Sequence, residues 1–243
     1  MMENWLERSE LLVGREVIYS FASKRVVVVG VGGVGAFAAE MIARAGIGAM
    51  YVIDPDIVTS SNRNRQLLAL ESTIGMKKVD VISSRLRDIN PEIDIKTVAD
   101  FLNEDNVALL LGGEKIDYIV DAIDTLSPKI ALIKYALKNG IPIVSSMGAG
   151  AKYDITAIEI ADISKSYNCP LAYMLRKRLR KEGISSGFKV IFSRELPDKN
   201  AIVPVEEQNK KSVVGTLSYL PAAFGIACAQ VVICYFIDIS KKN

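Results

Sequence analysis

The 243-residue chain contains no histidine. That excludes Ser–His–Asp and Cys–His catalysis, histidine-ligated zinc and an imidazole general base. Cysteine is scarce, with only Cys169, Cys228 and Cys234 and no CxxC pair. Such a set cannot build a disulfide scaffold or a four-cysteine zinc site, and it fits a reducing, cytoplasmic setting. Net charge is nearly absent too: 30 Lys and Arg face 28 Asp and Glu, so partners must be argued from local clusters. Charges from Glu3 onward are unlike a secretory signal. What the chain has is apolar bulk. Half its residues are hydrophobic, enough for the core of one large α/β domain.

Residues 25–54 organise the rest. Arg25-Val26-Val27-Val28-Val29 reads as a parallel strand buried on both faces. It breaks at Gly30, Gly32, Gly33 and Gly35 and resumes as an Ala-rich helix over about 34–45. A glycine loop between strand and helix lets backbone N–H groups approach phosphate oxygens at the helix's positive end. A second β-rich run, Met50-Tyr51-Val52-Ile53, ends in Asp54, spaced to meet a ribose hydroxyl. The stretch reads as a nucleotide site.

Around it, residues 4–20 carry apolar positions at helical spacing and predict one amphipathic helix. Residues 56–66, with Asn62, Arg63, Asn64 and Arg65, are turn-like and point back towards the nucleotide. Lys77 and Lys78 follow at the opening of a helix that runs to about Ile89. So many cations after one glycine loop exceed what a diphosphate needs, and they suit a triphosphate losing a charged leaving group. Strands are expected over 93–98, 116–124 and 141–146, with helices near 104–111 and from 127 to 139. Asp124, where a strand leaves the sheet, is a magnesium candidate; the alternative is that it only caps the next helix. Asp121 reads more readily as structural.

Beyond residue 148 the pattern changes. An antiparallel strand is expected over 155–161, a basic helix over 170–181, a strand over 188–193 and a polar loop over 195–212. The helix holds RKRLRK, residues 176–181, either a solvated face or a nucleic-acid phosphate contact. Residues 212–237 carry no charge. Pro221, Gly225 and Gln230 interrupt them, so a buried core or interface helix is expected and stable membrane insertion is not. Cys228 and Cys234 within it read as packing residues.

Together GVGGVG, IDPD, NRNRQ, GMKK and DAIDT resemble the ubiquitin-activating-enzyme-like adenylyltransferases. RSELLVG, RLRDINPE, KVIFSRELP and GTLSYLPAAFG narrow the likeness to the branch that dehydrates threonylcarbamoyladenosine in tRNA. The resemblance covers nearly the whole chain. It implies a Rossmann-like, mostly parallel sheet with an antiparallel C-terminal extension. One adenylation domain would comprise a helical arm (1–24), a nucleotide-binding core (25–147) and a substrate and dimer-side extension (148–243). By resemblance, Gly30, Gly32, Gly33 and Gly35 line the phosphates of ATP, Asp54 holds the ribose, and Asp56 belongs to the same cofactor-binding set. Asn62, Arg65 and Lys78 contact the triphosphate, and Asp124 coordinates Mg²⁺. Arg8 enters the partner's site in a homodimer. The implied reaction is ATP-dependent cyclisation of the threonylcarbamoyl group through a carboxyl-adenylate. A sulfur-transfer or cysteine desulfurase partner belongs to the same set of expectations. An intramolecular nucleophile and charge neutralisation at phosphorus suit a chain without histidine.

Cys169, in YNCPLA, departs from this picture, because relatives that pass activated carboxylates to sulfur use a loop cysteine. A sulfur-carrier-activating enzyme shares the adenylation site, but the missing CxxC pairs and the basic helix argue against it. An NAD(H) dehydrogenase leaves Arg65, Lys78 and Asp124 without a task. A nucleotide-gated RNA-binding module is the non-catalytic alternative.

Overall fold

A computed structural model of the chain describes residues 5–113, 115–207 and 210–242. Its strands in chain order are β1 (Arg25–Val29), β2 (Ala49–Ile53), β3 (Asp94–Val98), β4 (Tyr118–Asp121), β5 (Ile143–Ser146), β6 (Ile158–Asp162), β7 (Lys189–Ser193), β8 (Ile202–Glu207) and β9 (Lys210–Val214). The helices are α1 (Glu7–Val13), α2 (Arg15–Phe21), α3 (Gly35–Arg44), α4 (Lys78–Ile89), α5 (Val107–Leu111), α6 (Leu126–Lys138), α7 (Pro170–Lys181) and α8 (Tyr219–Ser240).

Seven strands form one sheet in the order β3-β2-β1-β4-β5-β7-β6, parallel except for β6 against β7. The run of valines in β1 explains its central place. Val26 and Val28 pack on one face with α3 and α8, Val27 and Val29 on the other with α6 and α7. Strand order reverses between β1 and β4, which opens a crevice at their carboxyl ends. The Rossmann-like sheet and its antiparallel extension are as the sequence led us to expect.

Four local expectations need correction. The N-terminal helix is two helices, because Gly14 sits at φ 97° and ψ 147°, a left-handed position that glycine tolerates and a continuous helix does not. β4 ends at Asp121, whose carboxylate accepts the Ile123 N–H and turns the chain, so Asp124 lies on the loop beyond. Part of 195–212 is the β8–β9 hairpin, with Ile202 opposite Val214 and Val203 opposite Val213; its charges hid these β-branched pairs. Residues 208 and 209 of that expected loop lie outside the described residues. Cys228 is buried and its thiol is pushed up to about 12 by burial, but Cys234 is exposed.

α8 is long and apolar enough to cross a membrane by length and composition, yet 56% of its most apolar window is buried inside the fold. Leu220, Phe224, Cys228, Val232 and Phe236 recur at helical spacing and join the core beside α3. Gly225 lets the two helices meet. A side chain there would place its Cβ 2.3 Å from the Val34 carbonyl oxygen and 2.9 Å from Phe37 Cβ. Gly225→Ala should therefore cost about 1–3 kcal/mol by overpacking, measured by chemical denaturation. An unchanged midpoint would show that α3 and α8 separate freely.

Candidate nucleotide-binding site

The loop between β1 and α3 is built on glycine for steric reasons. Gly30 has φ 86°, and a Cβ on Gly35 would sit 1.8 Å from the Gly30 carbonyl oxygen. Only hydrogen fits there, so the loop folds back tightly and α3 begins at the crevice. Gly33 meets Pro221 of α8 and the backbone of Arg65, while a Cβ on Gly32 would lie 3.6 Å from the Gln66 amide nitrogen. The first turn of α3, where the Ala36 N–H already reaches the Gly32 carbonyl at 3.3 Å, thus borders a cradle suited to an anion.

Asp54 follows β2 and is almost fully buried. Its Oδ2 accepts the Val31 N–H at 2.7 Å and its Oδ1 the Asp56 N–H at 2.9 Å, tying β2 to the glycine loop. Burial pushes its carboxyl above the ordinary range despite Lys78 and these two donors. Asp56 holds the buried Lys78 ammonium at 2.7 Å, at the first residue of α4. Lys78 therefore keeps further donors available beyond that bond. Asn62 accepts the Thr59 N–H and closes a short 3-10 turn. Arg65 donates to the Ser61 carbonyl and the Asn64 side chain, and Asn64 donates to the Thr216 carbonyl. Gln66 Oε1 is buried without a hydrogen-bond partner. Such an orphan beside a glycine loop calls for an explanation, and a bound donor supplies one.

Asp124 is exposed on the loop before α6, whose N-cap is Thr125, so the capping alternative does not hold. Among the described residues no three His, Cys, Asp or Glu side chains gather as a metal cage. One exposed carboxylate at this edge still fits magnesium, which keeps its waters and shares phosphate oxygens with few protein ligands. Arg8 is exposed on α1. Leu6, two residues earlier, packs against Gly46 just past the carboxyl end of α3. The glycine loop lies at the other end of that helix, about 15 Å away for ten residues, so Arg8 is not gathered with the other candidates.

The residues missed in the sequence are two buried lysines and Gln66. Lys129, in α6, pairs with Asp121 with both side chains at 0% exposure. It stands just before the apolar run IALI, residues 130–133, which marks it only in hindsight. Lys152 is buried, with a single contact of 3.4 Å to the Gly148 carbonyl, and burial pushes its ammonium down. Cys169 caps the start of α7, buried near Lys152. The cations of 177–181 are exposed, whereas Arg176 is half-buried and bonded to Ser166.

The ThiF family matches residues 6–243. The chain is 44% identical to the tRNA threonylcarbamoyladenosine dehydratase of Bacillus subtilis over 212 residues, 87% of this chain and 81% of that one. It is 44% identical to the protein of that name from Escherichia coli over 171 residues, 70% of this chain and 63% of that one. The crystal structure of E. coli tRNA N6-threonylcarbamoyladenosine dehydratase in complex with ATP superposes with a TM-score of 0.90. It is 35% identical, and the match covers 99% of this chain and 98% of that one.

Asp54 has a structural task that can be tested without ligand. Asp54→Ala should leave the Val31 and Asp56 amides unpaired and cost about 1–3 kcal/mol in thermal unfolding of the free protein. A loss below a few tenths of a kcal/mol would mean that water replaces the carboxylate.

Proposed function

This chain belongs to the ThiF family, and we propose that it is an ATP-dependent tRNA threonylcarbamoyladenosine dehydratase acting through a carboxyl-adenylate. What supports this reading is the convergence of the glycine cradle, the buried Lys78 ammonium and the Asp124 carboxylate on one sheet edge, in a chain that has no histidine. In it, the substrate carboxylate attacks the α-phosphorus of ATP and pyrophosphate leaves. A nitrogen of the same threonylcarbamoyl group then attacks the acyl carbon, AMP departs, and the nitrogen's proton passes to solvent. The net change is loss of water from the substrate, driven by cleavage of ATP. No enzyme nucleophile is required, because the attacking group is already tethered.

The glycines at 30, 32, 33 and 35 and the first turn of α3 cradle phosphate, with Asp54 and Asp56 on the ribose side. Asn62 donates a hydrogen bond to the triphosphate, and Arg65 and Lys78 neutralise its charge, Lys78 oriented by its bond to Asp56. Asp124 would hold magnesium, which supplies charge neutralisation at the phosphates when bound. Cys169 is buried at the start of α7 and the reaction runs without it. Tyr173, Arg176, Lys177 and Arg180 share one face of α7 at i, i+3, i+4 and i+7 and border a recess of about 280 Å³. That face suits tRNA phosphate and a stacked base, and a cytoplasmic setting is part of the same reading. The division into arm, nucleotide-binding core and substrate-side extension follows this assignment of tasks.

Arg8, remote from its own glycine loop, completes the site of a second copy in a homodimer. α1 buries no residue of its own, and Leu11 and Leu12 are each 83% exposed, a surface that a partner would cover.

Incubation with ATP, Mg²⁺ and tRNA carrying threonylcarbamoyladenosine should yield a nucleoside lighter by one water on mass analysis, with AMP and pyrophosphate in equal amount. Lys78→Ala should lower kcat by roughly two to three orders of magnitude, more than it weakens ATP binding. Adenylation of a sulfur-carrier tail with no change in the tRNA would sink the assignment. For the shared site, mixing inactive Arg8→Ala with inactive Asp124→Asn protein should restore about a quarter of the activity, as one intact site forms in each mixed dimer. Demonstrated subunit exchange without recovery would show that Arg8 does not complete the partner's site.

A further inference from the structure

Among the described residues, two lysines are buried outside the nucleotide-binding set, and their surroundings are opposite. Lys152 has one long contact, whereas Lys129 is completely satisfied. Lys129 Nζ donates to Asp121 Oδ2 at 2.8 Å, to Ser145 Oγ at 3.1 Å and to the Ser146 carbonyl at 3.0 Å. Asp121 is engaged as fully. Its Oδ2 also accepts from Ser145 Oγ at 2.6 Å, and its Oδ1 accepts the Ile123 N–H at 3.1 Å.

The geometry of that last bond matters. Asp121 closes β4 and Lys129 lies in the first turns of α6, so the pair ties together the two ends of the segment that carries Asp124. The same carboxylate fastens the segment's interior through Ile123. The segment also touches the glycine loop: a Cβ on Gly30 would meet the Ala122 carbonyl oxygen at 2.9 Å. Two buried charges seldom add net stability over an apolar pair of the same volume, so their value lies in what they position.

We propose that the Asp121–Lys129 pair is a positioning device. It fixes residues 122–125 against the glycine loop, so that Asp124 keeps a set distance from the phosphate cradle. Neither residue touches the reacting atoms. The inference rests on the nucleotide-site reading above, and its test separates the two.

The principal variant is Asp121→Asn with Lys129→Met, which removes both charges together and leaves no lone ion buried. Two quantities are read: hydrogen exchange at the amides of 122–125, and ATP binding by calorimetry with and without Mg²⁺. Exchange there should quicken at least about tenfold, and the gain in ATP affinity from Mg²⁺ should shrink by roughly 10–100-fold, as when a ligand loses its supporting contact. Binding of metal-free ATP should change less than about threefold, because the glycine cradle remains. Should the double variant not fold, Ser145→Ala deletes one bond to Asp121 and should move both quantities the same way by a smaller factor. Asp124→Asn should abolish the magnesium effect while leaving exchange at wild-type rates. A folded double variant, or Ser145→Ala in its place, with wild-type exchange and an undiminished magnesium effect overturns the proposal. Wild-type protein that binds ATP identically with and without Mg²⁺ overturns the magnesium assignment of Asp124, and the positioning role falls with it.

Discussion

The fold-back of the glycine loop is a hard steric constraint, because Gly35 lies so near the Gly30 carbonyl that no side chain is admissible. That contact brings α3 to the crevice between β1 and β4 and aims its first amides there. Asp54 then reaches the loop from β2 to hold Val31, and Ala122 presses on Gly30 from β4. A bulkier loop would push α3 outward, and with it α8, which packs through Gly225 against the same helix. The nucleotide cradle and the largest helix contact in the fold thus depend on one steric fact.

Charge is handled differently on the two sides of that crevice. Lys78 is buried but bonded to an exposed Asp56, so its ammonium is held near water and remains free to serve an anion. Lys129 and Asp121 are sealed from water and saturated with hydrogen bonds, so they can take no ligand. Burial without saturation raises the energy of the charged form, which is the situation of Lys152. The number of partners, more than depth, divides these lysines into one with donors to spare, one fully bonded and one whose ammonium burial disfavours.

α8 shows why hydropathy alone is a weak guide. Its composition suits a lipid environment, yet its small residues let it lie on α3 and its large ones fill the face above β1. The same mean hydropathy serves a protein core because both environments reward the removal of apolar surface from water. The flanking elements, not the helix itself, decide between them.

The sequence by itself determined the order of strands and helices, because the valine run of β1, the glycine loop and the Asp54 spacing are local patterns with local causes. It also offered Asn62, Arg65, Lys78 and Asp124 as one candidate set, which the family resemblance joined to Asp56. It could not determine the break at Gly14 or the β8–β9 hairpin. The first depends on a backbone angle that only packing selects, and the second on cross-strand valines masked by neighbouring charge. The sequence marked Asp121 as structural and Asp124 as functional, three residues apart, but could not name the partner that buries Asp121. Tertiary structure decided that: Lys129, eight residues later in sequence, returns beneath the sheet edge to meet Asp121, while Asp124 is left in solvent. The distance between two charges in a folded chain is set by packing, and no pattern along the chain encodes it.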